Sequence, residues 1–187
     1  MTPAARVQSS IDLLDTILSG VPTEQALTRW ARANRFAGSK DRAAIRDHVF
    51  AAIRCRRSFA ALGGSETGRG LMIGLLRSTD ADVSAMFDGS NYGADALSEE
   101  EMALTSTLDT LEPEVQADLP DWLWQRFQED LGDAAAATAE CLRHRADVFL
   151  RVNLLKSDVD NAIDALAKGE VSAERHALSE TALIVTK

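Results

Sequence analysis

Seven basic side chains stand out for the chemistry their spacing permits: Arg32, Arg35, Lys40, Arg42, Arg46, Arg54 and Arg57. They lie in a segment, residues 29–77, that carries eleven Lys/Arg against three Asp/Glu, a local balance of +8. Arginine and lysine at such density can neutralise phosphates and release condensed counterions, which is the chemistry of nucleic-acid binding. The opposite reading is a solvated helix face, paired with the acidic half of the chain. That half is residues 78–140, with sixteen Asp/Glu against Arg126, a balance of −15. The net charge of −9 argues against a uniformly basic nucleic-acid binder. A basic patch on an acidic body can still attract phosphate, because screening confines fields to roughly 8 Å at physiological salt.

The other reactive side chains point away from catalysis. Cys55 lies between Arg54 and Arg56, a setting that can lower a thiol pKa. It also falls on the apolar side of its helix, so core packing is the favoured reading, and Cys141 is read the same way. Two cysteines make no disulfide framework and fit a reducing cytoplasm. His48 shares the face of Cys55 and reads as a hydrogen-bonded core histidine. His144 and His176 have no partners at metal-ligand spacing. Gly68-Arg69-Gly70 lacks the Lys-Ser/Thr of a phosphate loop. Trp122 and Trp124 sit two apart on one short helix, so only one can face a core. Asp41 reads as a helix cap, with Arg42 or an arginine one turn away as an ion-pair partner.

Helices must position these groups. Val7, Ile11, Leu14 and Leu18 form one stripe, widened by Leu13 and Ile17, and Gly20 and Pro22 end that helix. A second helix starts near Thr23 and breaks at Phe36-Ala37-Gly38. Ser39 or Asp41 caps the third. The third is expected to run unbroken from about Lys40 to Leu62, burying Ala44, Ile45, His48, Val49, Ala52, Ile53 and Cys55 and showing Arg46, Arg54, Arg57 and Asp47 on the far side. A short apolar helix follows at Leu71–Leu76, then a turn capped by Asp80. Asp88–Ala96 is a loop by composition. Ser98-Glu99-Glu100-Glu101 fits a capping box. Leu123, Phe127 and Leu131 mark a helix after Pro120, and an Ala-rich helix spans about Ala134–Leu142. Beyond residue 145 the texture changes. Val148–Asn153 and Thr181–Thr186 read as strands flanking an amphipathic helix, Val159–Lys168. The expected architecture is mainly α: a helical domain over 1–145, then the start of an α+β segment over 146–187. The start of the chain has no apolar core of a signal peptide, and no apolar run approaches a membrane span.

Two stretches carry a family resemblance. Phe36-Ala-Gly-Ser-Lys-Asp-Arg-Ala-Ala-Ile-Arg-Asp-His-Val-Phe-Ala-Ala-Ile-Arg54 is similar to the loop and central helix of NusB-like domains in RsmB/NOP-type RNA methyltransferases. Leu119-Pro-Asp-Trp-Leu123, Gly132 and Leu150-Arg-Val-Asn153 follow in the order of that family, where the last opens a ferredoxin-like subdomain. The resemblance implies an RNA-contacting, NusB-like all-helical domain, an incomplete ferredoxin-like subdomain, and a separate domain that binds S-adenosylmethionine and methylates cytosine C5. The implied partners are RNA, ribosomal RNA above all, and the chain's own methyltransferase domain, with no membrane and no metal. Neither cysteine has the family's Pro-Cys or Thr-Cys-Ser context, and no Asp-x-Cys-Ala-Ala-Pro-Gly-Gly-Lys cofactor motif is present. No catalytic, cofactor or metal residue is therefore assigned. A free antitermination factor of the NusB type, and a helical protein-interaction domain, are the alternatives; the Leu150–Asn153 strand counts against the first.

Overall fold

A computed structural model describes residues 1–79 and 81–186. The chain divides into two units, Met1–His144 and Arg145–Lys187. In the first, α1 (Pro3–Leu18) starts with Thr2 capping the Ala5 N–H and with Pro at its first position, where a missing N–H costs nothing. α2 (Thr23–Ala33), α3 (Ser39–Arg54), α4 (Arg56–Gly63) and α5 (Gly68–Ser78) follow. Val7, Ile11 and Leu14 of α1 meet Ile45, Val49 and Ala52 of α3 and the nearly all-apolar α5 in one core. α4 and α5 pack backbone to backbone. A Cβ on Gly74 would collide with the Phe59 carbonyl, and one on Gly63 with the Gly70 carbonyl, so the glycines permit this approach.

α6 (Val83–Met86) is capped by Asp82, which accepts the Ala85 N–H at 3.1 Å; Asp80, the expected cap, lies outside the described residues. α7 (Glu99–Ala103) has the expected capping box between Ser98 and Glu101. α8 (Pro113–Gln116), α9 (Asp121–Leu131) and α10 (Ala135–Arg143) complete the unit. Ala117, Trp124, Ala135 and Ala139 form a small core of their own, with Leu119 and Phe127 against it. Trp124 is thus the buried tryptophan and Trp122 the exposed one, while Leu131, expected on the apolar stripe, is exposed.

The expected long third helix is two helices. They break at Cys55, whose backbone (φ −107°, ψ 37°) leaves the helical region although neither Pro nor Gly is present. The cause lies in another part of the chain. Asp118 Oδ1 accepts the Ser58 N–H at 2.8 Å, and its Oδ2 accepts the Ser58 hydroxyl at 2.7 Å and an Arg143 N–H at 2.7 Å. Arg143 also donates to the Gln116 carbonyl. Its own carbonyl accepts from Arg54 Nε and from Cys55 Sγ. The carboxylate is only 2% exposed and its guanidinium partner 7%. Burial pushes the Asp118 carboxyl above the ordinary range, while the Ser58 and Arg143 bonds pull it back. Ile53, at the end of α3, was expected inside and is exposed.

His48 meets Ser10 of α1, with Ser10 Oγ 3.2 Å from Nδ1, and burial holds its pKa below 6.5.

The second unit runs β1 (Val148–Arg151), α11 (Val159–Lys168), β2 (Ala173–Arg175) and β3 (Ala182–Val185). Asp158 caps α11 through the Asn161 N–H. The sheet order is β1-β3-β2, with both pairings antiparallel. β1 and β2 therefore run parallel with β3 between them, which is a split β-α-β unit. β2 was not expected. Its sequence, Ala173-Glu-Arg175, lacks the branched and aromatic residues that mark a strand. Val152, Val159 and Leu183 form the core between sheet and helix, with Ile163 and Leu166 against it.

Three outcomes are expected. Asp118→Asn keeps the shape and tolerates the residue's positive φ of 54° but removes the buried counter-charge of Arg143 and leaves it only the exposed Glu140 at 3.3 Å; urea melts should show a loss of about 3 kcal/mol. Unfolded chains protonate His48 near pH 6.5 while the folded chain resists, so unfolding free energy should fall as the pH drops below 6.5 and fall less in His48→Gln. The Val152 N–H reaches the Thr181 carbonyl at 2.8 Å, so alternation turns the Leu150 N–H toward β3 and those of Phe149 and Arg151 toward the open edge. Hydrogen exchange should be faster at Phe149 and Arg151 than at Leu150 and Val152.

Candidate nucleic-acid interface

The expected basic residues converge on the α2–α3 hairpin but do not share one environment. α2 ends at Asn34, whose backbone N–H and side-chain amide both donate to the Trp30 carbonyl at 2.9 Å. Ala37 is buried and anchors the connecting loop, and Arg42 Nε donates to the Ala37 carbonyl at 2.9 Å. Asp41 closes the first turn of α3 by accepting the Gly38 N–H at 3.1 Å. Its ion-pair partners are not neighbours on its own helix, as expected from sequence, but Arg6 at 2.8 Å and the Met1 amine at 3.3 Å, both brought by α1. Arg6 first, and the Gly38 and amine contacts with it, hold the Asp41 carboxyl below its ordinary range against the opposing effect of burial. Asp41 is thus neutralised by partners from α1 and the loop backbone, and it does not offset Arg35 and Lys40 beside it.

Arg32, Arg35 and Lys40 are exposed and make no ion pair among the described residues. They flank the loop from both sides, Arg32 in the last turn of α2 and Lys40 in the first turn of α3. Arg42 and Arg46, with Leu27, Trp30 and Ala31, line a groove of about 250 Å³ between α2 and α3. Arg46 forks onto Glu24 and lies 5.1 Å from the centre of the Phe50 ring. Its side chain remains half exposed, so this pair is a weak surface bridge that another anion can displace.

Arg54 and Arg57 are placed differently. Arg54 binds the Arg143 carbonyl. Arg57 binds the Leu119 carbonyl and pairs with Asp121 at 2.7 Å. Both guanidiniums join α3 and α4 to the α8–α10 region. Arg69 and Arg77, also in the basic segment, hold α7 and the loop before it: Arg69 forks onto Glu101 at 2.7 and 2.8 Å, donates to the Asp95 and Ala96 carbonyls and stacks 4.8 Å from the Phe87 ring centre, and Arg77 donates to the Glu101 carbonyl. Pairing between basic and acidic halves therefore occurs at Arg57 and Arg69, while the α2–α3 hairpin stays open. The residues that sequence reasoning did not single out are Arg6, Asp118 and Arg143. Each acts through a partner at least 25 positions away, and no local pattern marks such pairs.

The reactive side chains make no catalytic constellation. Cys55 is buried, and burial first, then the nearby Asp118 charge, pushes its thiol up to about 11. Arg54 does pull it down, but less than burial and Asp118 push it up, and Arg56 is paired with Glu66. Cys141, expected in the core, is exposed on α10. No group of three or more His, Cys, Asp or Glu among the described residues could hold a metal ion. No described helix is long and apolar enough to cross a membrane.

No curated protein matches the chain. Residues 119–187 match the family model described as the ferredoxin-like domain of RsmF/B-like methyltransferases. The match starts ahead of α9, so it includes two helices of the first unit and the whole β1-α11-β2-β3 unit. The split β-α-β topology found there is the arrangement that a ferredoxin-like domain begins with. Residues 119–187 are thus a segment of the RsmF/B-like ferredoxin-like domain family, consistent with the N-terminal region of an RsmB/Fmu-type methyltransferase.

Proposed function

We propose that this chain is the RNA-handling front part of an RNA cytosine-C5 methyltransferase: a NusB-like helical module that positions ribosomal RNA in the cytoplasm for a methyltransferase domain lying outside these residues. The observation that carries this reading is the exposed cationic hairpin of Arg32, Arg35 and Lys40, without ion-pair partners among the described residues, on a chain whose residues 119–187 match an RsmF/B-like domain. Arg42 and Arg46 extend the same surface along the α2–α3 groove. Charge density of this kind attracts phosphate without reading sequence, so it would fix the register of an RNA and leave base selection to other contacts.

S-adenosylmethionine, the methyl donor such an enzyme uses, does not fit the residues described. Dinucleotide-like cofactors sit at the carboxyl ends of parallel strands, against a glycine turn and a helix N-terminus. The sheet here is three-stranded with antiparallel pairings, and β1 is followed by Val152-Asn-Leu-Leu155, with no glycine before α11. No step of methyl transfer is derived from these residues. Their role is to bind and orient.

Ribosomal RNA fragments should bind the chain with an affinity that falls steeply with salt. Arg32→Glu, Arg35→Glu and Lys40→Glu together should weaken binding at least tenfold at low salt. They should also reduce the log–log salt slope by about 2, the expectation for three lost phosphate contacts on single-stranded RNA. Fluorescence anisotropy across a salt series measures both. Binding without a salt slope would sink the proposal.

A further inference from the structure

A second feature adjoins the cationic hairpin and is not explained by charge. Met1, Thr2, Ala5 and Ser9 of the α1 end form the floor of a cavity of about 450 Å³ whose remaining walls are Phe36 and Tyr92. That volume falls within the roughly 300–1,000 Å³ of small-ligand sites. Phe36 is 74% exposed and Tyr92 77%. In a chain with six Phe, three Trp and one Tyr, two rings left in water at one cavity are a costly arrangement for a purely structural surface.

Both rings stand on braced loops. The Phe36 loop is tied by Ala37 N–H to the Asn34 carbonyl at 3.1 Å, by Arg42 to the Ala37 carbonyl, and by Gly38 to Asp41. The Tyr92 loop is tied by Gly93 N–H to the Ser90 carbonyl and Gly89 N–H to the Ala94 carbonyl, each at 3.0 Å, and by Ser90 N–H to Asp88 at 2.9 Å. Gly93 lets this loop lie against α1, since a Cβ there would meet Ala4 and the Asp88 carboxylate. The backbones that carry the two rings are therefore braced before any ligand arrives, which limits the ordering cost of binding.

The surroundings select the ligand. Arg35 precedes Phe36 directly and Lys40 follows it by four residues, both exposed and without an ion-pair partner among the described residues. An aromatic-walled cavity with cations beside it matches a nucleotide: a flat base between rings and a phosphate on each side. An apolar protein side chain would fill the cavity but leave the cations without partners. We propose that the Phe36–Tyr92 cavity receives one unstacked base of single-stranded RNA, with the adjoining phosphates on Arg35 and Lys40. This rests on the RNA-binding reading and adds to it the strandedness of the substrate and the place where a base is held.

The test uses the whole chain and a fluorescein-labelled single-stranded RNA dodecamer, with a duplex of the same sequence as competitor. Phe36→Ala and Tyr92→Ala should each weaken binding roughly 5- to 100-fold while leaving the salt slope unchanged. Phe36→Trp and Tyr92→Phe should retain it, and the duplex should compete poorly. Both rings lie outside the core, and circular dichroism of the alanine variants checks that folding is intact. If the alanine variants bind RNA like the parent chain while the salt slope persists, the cavity is not a base site and the RNA reading stands. If the duplex competes as well as the single strand, the proposal also fails. If the parent chain binds neither RNA with a salt slope, both readings fall together.

Discussion

Asp118 sits in a backbone conformation with positive φ, on the turn that follows α8, and puts a carboxylate where almost no water reaches it. An ionised carboxylate in such a place demands donors from every side, and the chain supplies them from two distant elements: the Ser58 N–H and hydroxyl from α4, and the Arg143 guanidinium from α10. The arginine in turn binds the Gln116 carbonyl, and its own backbone carbonyl collects Arg54 and Cys55. No buried side-chain nitrogen or oxygen among the described residues lacks a partner. Removing one member would leave a charge stranded, and a stranded buried charge is among the most destabilising single defects a fold can carry. This constraint accounts for the broken third helix, for the inward turn of Arg54 and Arg57, and for the seat of the α8–α10 layer.

The same constraint sorts the basic residues. Guanidiniums near the α3–α4 junction are drawn inward by carbonyls and by Asp121. Arg32, Arg35 and Lys40 at the α2–α3 loop have no carboxylate partner among the described residues, and Asp41, adjacent in the chain, is already occupied by Arg6, the Met1 amine and the Gly38 N–H. A carboxylate satisfied from behind does not quench the cations in front of it. The chain is therefore acidic as a whole and keeps one cationic corner, because local geometry rather than net charge decides which arginines face water.

The second unit follows a different logic. Among the described residues, three strands and one helix bury only Val152, Val159 and Leu183 as an apolar core. Along β1, Val148, Phe149 and Leu150 remain substantially exposed, and the outer edge of this strand has no partner among the described residues. Small sheets of this kind have little apolar burial to set against chain entropy. The β1-β3-β2 order agrees with the match of residues 119–187 to a ferredoxin-like domain.

The sequence alone determined what depends on near neighbours. The stripe Val7–Leu14, the stop at Gly20 and Pro22, the Ser98–Glu101 capping box, the helix Val159–Lys168 and the strands at 148 and 182 were all legible, because each follows from periodicity or capping over a few residues. The cationic segment was legible as composition. Only the tertiary structure decided the break at Cys55, the unmarked strand Ala173–Arg175, the exposure of Ile53, Leu131 and Cys141, and the division of the arginines into braces and open surface. It also brought Phe36 and Tyr92, 56 positions apart, to one cavity. The physical reason is common to all of these. A strand with weak propensity forms when β3 offers an edge, a helix breaks when a distant carboxylate claims its amide, and a side chain points inward or outward according to partners that the local sequence does not contain.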